Sequence, residues 1–305
     1  MNTELSRPSR RIWRSACAAF LGLVLFAFVS NAEAFQIKRV LRGSTSFAIA
    51  DNFLEIDLGP QLVDAGDGLD TTKSLVLVRR YLTQTGTPDK EIVMVELGDP
   101  RTLYASRYNS GSQMTVYWEV IEFGDGVIVN SGRTTFGKTT CSKTINFGFS
   151  YTVGKTLPFL QTKATKAMNS NEDHQLYVAA QILTSNSASF VRGDCGASGA
   201  PVEVLYQLVE FTNDVTVKQG VTNIPQNSGC ATPIAATVSP AITNMAKAFL
   251  HDYTSVTANN NGYQAAYQIR GVIFDASTLN FDRLECSNGK NGAVDVYWYI
   301  AELTD

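Results

Sequence analysis

The chain has 305 residues, 44% of them hydrophobic and 17% charged, and a formal net charge of −3. So mild an acidic balance gives no electrostatic case for binding nucleic acid or an anionic membrane surface. Length alone suggests two or three domains.

Residues 1–34 read as a leader rather than as part of the fold. Arg7, Arg10, Arg11 and Arg14 form a basic head, the apolar run ACAAFLGLVLFAFV (16–29) follows, and Ala32-Glu33-Ala34 fits a small-x-small cleavage site. The apolar run falls short of the ~20 residues a bilayer span needs. The expectation is a cleaved secretory signal. Without the leader's four arginines and two glutamates, the mature chain 35–305 carries a net charge of about −5. No later run is long enough to keep it in a membrane, so no stable span is expected after cleavage.

In chain order, LEIDL (54–58), SLVLVRRYL (74–82), EIVMVEL (91–97) and MTVYWEVIEF (114–123) are rich in β-branched and aromatic residues. Clusters of Gly, Asn, Asp and Ser separate them, which is strand texture. The last of these strands returns as VLYQLVEF (204–211) and as VYWYIAEL (296–303), whose Glu122, Glu210 and Glu302 are 88 and 92 residues apart. Other landmarks recur in the same order. A V-x-x-G step ends at Gly43, Gly132 and Gly220; Lys73, Lys155 and Lys247 each open an apolar strand. An aromatic shortly before an arginine occurs as Tyr104/Arg107, Phe190/Arg192 and Phe281/Arg283. The chain is therefore expected to hold three homologous units, 35–123, 124–211 and 212–305. Each is a small antiparallel β-sandwich of about six strands. The stretch 162–175 lacks an apolar 3.6-residue stripe and reads as a loop. Trp118 and Trp298 are expected to anchor cores; a stacking platform for sugar is the sharper alternative.

Cys17 leaves with the leader, and four cysteines remain. Cys141 follows Gly132 by nine residues and Cys230 follows Gly220 by ten; Cys195 and Cys286 each follow the repeat arginine by three. The repeat thus pairs Cys141 with Cys195 and Cys230 with Cys286, one bridge in each of units two and three. Unit one has Asn52 and Ser110 at those places. A loop of about 55 residues makes each bridge worth roughly 4 kcal/mol in the chain-entropy model.

Unit two reads V-N-S-G, Cys141, INF (145–147), LPFL (157–160), YVAAQIL (177–183), Phe190, Cys195 and YQLVEF. This order resembles the H-type lectin domain family, the snail-agglutinin type, and units two and three carry it most clearly. The resemblance implies a six-stranded antiparallel sandwich that assembles as a trimer and binds N-acetylgalactosamine-type sugars between neighbouring subunits. It also implies an early cysteine bridged to a late one. The family's sugar contacts include a middle-strand arginine, for which Arg270 of unit three is the candidate. They also include an aromatic after the second cysteine and a tyrosine before the last strand. Here GASGAP (196–201) and SNGKNG (287–292) hold no aromatic, and Ser112, Ala200 and Gly292 stand where that tyrosine would be. Three joined units could form an intramolecular pseudo-trimer. The short links GDGV and TNDV also suit a compact row.

Other motifs read blandly. GDCGASGAP (193–201) echoes a protease nucleophile loop, but the only histidines are His174 and His251, and Cys195 already has a partner. RGD (192–194) occurs once and is replaced by RYN and RLE in the other units. DAGDGLD (64–70) lacks the ligand spacing of a calcium loop. No metal site, cofactor motif or catalytic constellation is expected. Arg107, Arg192 and Arg283 recur beside the bridge loop. They serve either shared structure, such as a salt bridge to Glu122, Glu210 and Glu302, or a repeated ligand-binding surface. The expectation is a non-enzymatic recognition protein at the periplasm, cell surface or medium, binding carbohydrate. The alternative is a structural or self-associating surface protein.

Overall fold

The computed structural model describes residues 36–62, 68–82, 87–169, 173–193, 195, 200–230, 232–257, 269–283 and 292–304. The expected leader lies outside them. Residues 34–305 form one compact body.

The chain is all-β, and the same six-strand pattern is laid down three times. The first unit contains β1 (Ile37–Phe47), β2 (Phe53–Asp57), β3 (Ser74–Leu82), β4 (Met94–Asp99), β5 (Thr102–Ser106) and β6 (Met114–Phe123). The second contains β7 (Val127–Phe136), β8 (Ser142–Asn146), β9 (Thr156–Ala164), β10 (Ala179–Thr184), β11 (Ser187–Val191) and β12 (Val202–Phe211). The third contains β13 (Val215–Ile224), β14 (Ile234–Thr237), β15 (Ala248–Val256), β16 (Ile269–Asp275), β17 (Thr278–Arg283) and β18 (Val294–Leu303). Each unit makes two three-stranded antiparallel sheets. Their orders are β1-β6-β3 with β2-β5-β4, β7-β12-β9 with β8-β11-β10, and β13-β18-β15 with β14-β17-β16. The last strand of each unit is central in its sheet; β6 alternates between buried and less buried positions, whereas β12 and β18 are buried on both faces along most of their length.

The inner faces of paired sheets enclose the cores. In the first unit Met114, Val116, Trp118 and Val120 of β6 pack with Phe47, Val76, Leu103 and Ala105. In the third, Val296, Trp298 and Ile300 of β18 pack with Ile224, Leu279 and Phe281. Trp118 and Trp298 are 4% and 5% exposed; both are core residues. The V-x-x-G glycines make room for these rings. A Cβ on Gly43 would stand 2.7 Å from Trp118 Cε2, and one on Gly220 2.6 Å from Trp298 Cε2. On Gly132 it would stand 2.5 Å from Tyr206 Cζ.

The recurring glutamate has an equally local cause. Glu122, Glu210 and Glu302 each accept the backbone N–H of the residue four before the third strand of their unit: Asp70 at 3.1 Å, Thr152 at 2.7 Å and Asn244 at 2.6 Å. This satisfies a donor at the turn where the chain crosses from one sheet to the other. One strand boundary departs from the sequence expectation. Pro88–Glu91 forms a single helical turn, so the strand expected from residue 91 begins at Met94. Pro158 lies inside β9, which an edge strand tolerates because no ladder hydrogen bond needs its missing N–H.

Candidate functional site

The third strands of the units, β3, β9 and β15, have one length and one register. Val78, Leu160 and Asp252 lie opposite Trp118, Tyr206 and Trp298, and Arg79, Gln161 and Tyr253 lie opposite Tyr117, Leu205 and Tyr297. These six residues therefore form two sets of equivalent positions. All six line a single cleft of ≈ 640 Å³, together with Tyr177. The site is built where the three units meet.

Two of the three outward-facing side chains are already committed. Gln161 accepts the Val95 N–H (2.7 Å) and donates to the Val95 (2.8 Å) and Val76 (3.3 Å) carbonyls of the first unit. The Tyr253 hydroxyl accepts the Leu160 N–H (2.7 Å) and donates to the Pro158 carbonyl (3.2 Å) of the second. The third, Arg79, is exposed.

Asp252 is the unusual residue of the cleft. Its equivalents are Val78 and Leu160, which pack against or toward a core, whereas Asp252 brings a carboxylate into the same inward register. Gly271 on β16 leaves room for it, since a Cβ there would stand 2.6 Å from Asp252 Oδ2. The carboxylate is half-buried and has no hydrogen bond or ion pair among the described residues. Burial pushes its pKa up to about 6. The cleft thus offers a carboxylate acceptor and a guanidinium donor among apolar and aromatic walls. Its neighbour His251 points to the opposite face of the strand, against Phe159 with ring centroids 4.7 Å apart. Asp252 and His251 consequently cannot act as a hydrogen-bonded acid–base pair.

The residues singled out from sequence lie elsewhere. Arg107, Arg192 and Arg283 are 3%, 0% and 5% exposed. Arg107 donates to the carbonyls of Ala48, Asp51, Lys90 and Ser112; Arg192 to those of Gly137, Lys138 and Ala200; Arg283 to those of Pro225, Ser228 and Gly292. Each guanidinium gathers the loops at one end of its sandwich. The salt bridges expected between these arginines and the recurring glutamates are not the observed pairing. Glu122 instead pairs with Lys38 and Arg39, and Glu302 with Lys218. A fork of donors satisfies several carbonyls at once, which explains why arginine recurs here and lysine does not. Arg270 is exposed and paired with Asp282 at 2.5 Å.

Cys141 and Cys195 form a disulfide with Cα atoms 5.2 Å apart. Cys230 is also disulfide-bonded; its expected partner, Cys286, lies outside the described residues. So do Asp194 of the RGD tripeptide and the side chain of His174. Among the described residues no group of three or more His, Cys, Asp or Glu could hold a metal ion, and no helix is long and apolar enough to cross a membrane.

Arg79 and Asp252 escaped the sequence reading because a repeat search rewards identity, and these positions differ in every unit. A signal was present all the same: HDY (251–253) places a carboxylate on the inward register of an otherwise apolar strand. Comparison with known proteins adds no function: no family model matches the chain, and no curated protein matches it.

Proposed function

We propose that this is a non-catalytic, extracytoplasmic recognition protein that binds carbohydrate in the cleft shared by the three units. The observation that carries the reading is the Asp252 carboxylate, without a hydrogen bond or ion pair among the described residues, opening into a cleft that also holds Arg79. Saccharide hydroxyls donate to a carboxylate and accept from a guanidinium, and the C–H faces of the ring pack on aromatic and apolar walls. Tyr177, Tyr253, Val78 and Leu160 supply such walls. The resemblance to the H-type lectin family points the same way, because that family seats its sugar between neighbouring units. The contacts differ from the family's, so the sugar preference is expected to differ too.

A glycan array probed with the oxidised, secreted protein tests this. Binding that Asp252→Asn weakens at least tenfold supports the reading; no glycan above background removes it. Binding that survives Asp252→Asn unchanged moves the site elsewhere.

A structural, self-associating surface protein is the second reading. It is favoured by Val272 and Phe274, which stand 46% and 66% exposed on β16. Sedimentation that stays strictly monomeric at high concentration counts against it.

A further inference from the structure

Two charged side chains line the cleft and neither is engaged. Arg79 and Asp252 have no hydrogen bond or ion pair among the described residues. Two further polar groups there are committed between units, the Gln161 amide to the first and the Tyr253 hydroxyl to the second. Nearby charges are taken as well. Arg270, next to Gly271 on the exposed side of β16, pairs with Asp282, and Lys163, next to Thr162 on β9, pairs with Glu203.

The two charges differ in setting. Asp252 stands opposite Trp298 on β18. Its Oδ2 lies over the Gly271 backbone, and a Cβ at that glycine would also meet Leu250 Cδ2 at 2.6 Å and Phe281 Cε1 at 2.8 Å. Burial among these apolar groups raises the Asp252 pKa to about 6, so near neutral pH the carboxylate is ionised without a counter-charge. Arg79 is exposed, so water and salt screen it; Asp252 is screened much less. A ligand cation therefore gains more at Asp252 than it loses to Arg79. It also gains more there than a hydroxyl, which donates a hydrogen bond but brings no charge. Tyr177 and Tyr253 line the same cleft, and aromatic rings attract an ammonium group further.

We infer that the cleft selects amino sugars with a free, protonated amine, which pairs with the Asp252 carboxylate while sugar oxygens accept from the Arg79 guanidinium. The inference rests on the carbohydrate reading and narrows it. It also parts from the H-type lectin resemblance, whose N-acetylgalactosamine-type ligands carry a neutral acetamide at that nitrogen. An acetamide brings no charge to Asp252.

The test is calorimetric titration of the oxidised, secreted protein with chitosan, chitin and cellulose oligomers of equal length. These differ only in the substituent on the second ring carbon, which is an amine, an acetamide or a hydroxyl. The titration is run at physiological salt and just above the Asp252 pKa, where the carboxylate is ionised and the sugar amine protonated. The chitosan oligomer is expected to bind more tightly than the other two by about tenfold or more, and Asp252→Asn is expected to make the three alike. Chitin or cellulose oligomers that bind the unaltered chain as tightly as chitosan overturn the inference and leave the carbohydrate reading standing. A preference for chitosan that survives Asp252→Asn also overturns it, because the acidic chain as a whole then attracts the polycation. No binding by any of the three overturns it too, and the glycan array then decides the carbohydrate reading by itself. Spermidine supplies ammonium groups without a sugar ring. If it displaces the chitosan oligomer at equal concentration, the ammonium alone is recognised and the amino-sugar assignment falls.

Discussion

Trp118 lies over Gly43 on the neighbouring strand so closely that no side chain fits between the indole and the β1 backbone. The same contact joins Trp298 to Gly220, so one packing solution accounts for two of the V-x-x-G landmarks. Replacing Gly43 or Gly220 by alanine is expected to push the indole off its rotamer and to cost about 1–3 kcal/mol, as overpacking does. Chemical denaturation of each variant measures this. A loss below about 0.5 kcal/mol would show that the ring moves freely and that the glycine serves another purpose.

The landmarks legible in the sequence share this property: each serves a need inside its own unit. Glycine admits a ring, glutamate takes a turn amide, and arginine gathers carbonyls, so the same residue returns in every copy. The all-β class followed from them, as did the Cys141–Cys195 bridge. The cleft was not legible because Arg79, Gln161 and Tyr253 face a different neighbour in each copy. Positions that recognise a neighbour diverge where positions that hold a unit repeat. The arginines' partners were left open by the sequence, since backbone carbonyls leave no mark in a residue pattern.

Arg192 is wholly buried and donates to three carbonyls that end loops on either side of the sandwich. Hydrogen bonds from a charged donor contribute ~1.5–3 kcal/mol each, and the carbonyls left behind have no water to replace it. Arg192→Met is expected to destabilise the protein by roughly 3–5 kcal/mol, in the range for breaking a buried charged network. Arg192→Lys should recover less than half of this, because an ammonium cannot reproduce the fork. Full rescue by lysine, read in the same denaturation assay, would mean that charge rather than geometry matters here.

The Cys141–Cys195 bridge closes a loop with a sequence separation of 54. It joins the start of β8 to the loop after β11, the region that Arg192 also gathers. Replacing both cysteines by serine is expected to cost about 3–4 kcal/mol, mainly by freeing the unfolded chain. The first unit carries Asn52 and Ser110 in the corresponding places and stands without a bridge. A bridge-free second unit should therefore still fold, with its strand signal retained in circular dichroism and a lower denaturation midpoint.

Asp252 and His251 give the protein a pH response that is hidden while both are present. Burial raises the Asp252 pKa to about 6, so the folded protein holds a proton there that the unfolded chain releases near pH 4. Its contribution is full below pH 4 and is lost as pH rises through 6. Burial lowers the His251 pKa to about 4, so its contribution is full above pH 6.5 and is lost as pH falls through 4. Between pH 4 and 6 the two slopes oppose each other, and wild-type stability is expected to be nearly flat there. Asp252→Asn removes one slope and leaves stability falling on acidification. His251→Phe removes the other and leaves stability rising, by on the order of 1–3 kcal/mol across the window. Thermal midpoints of the three proteins at pH 4, 5 and 6 check this. Parallel profiles would show that the two groups do not titrate in the folded chain over that range.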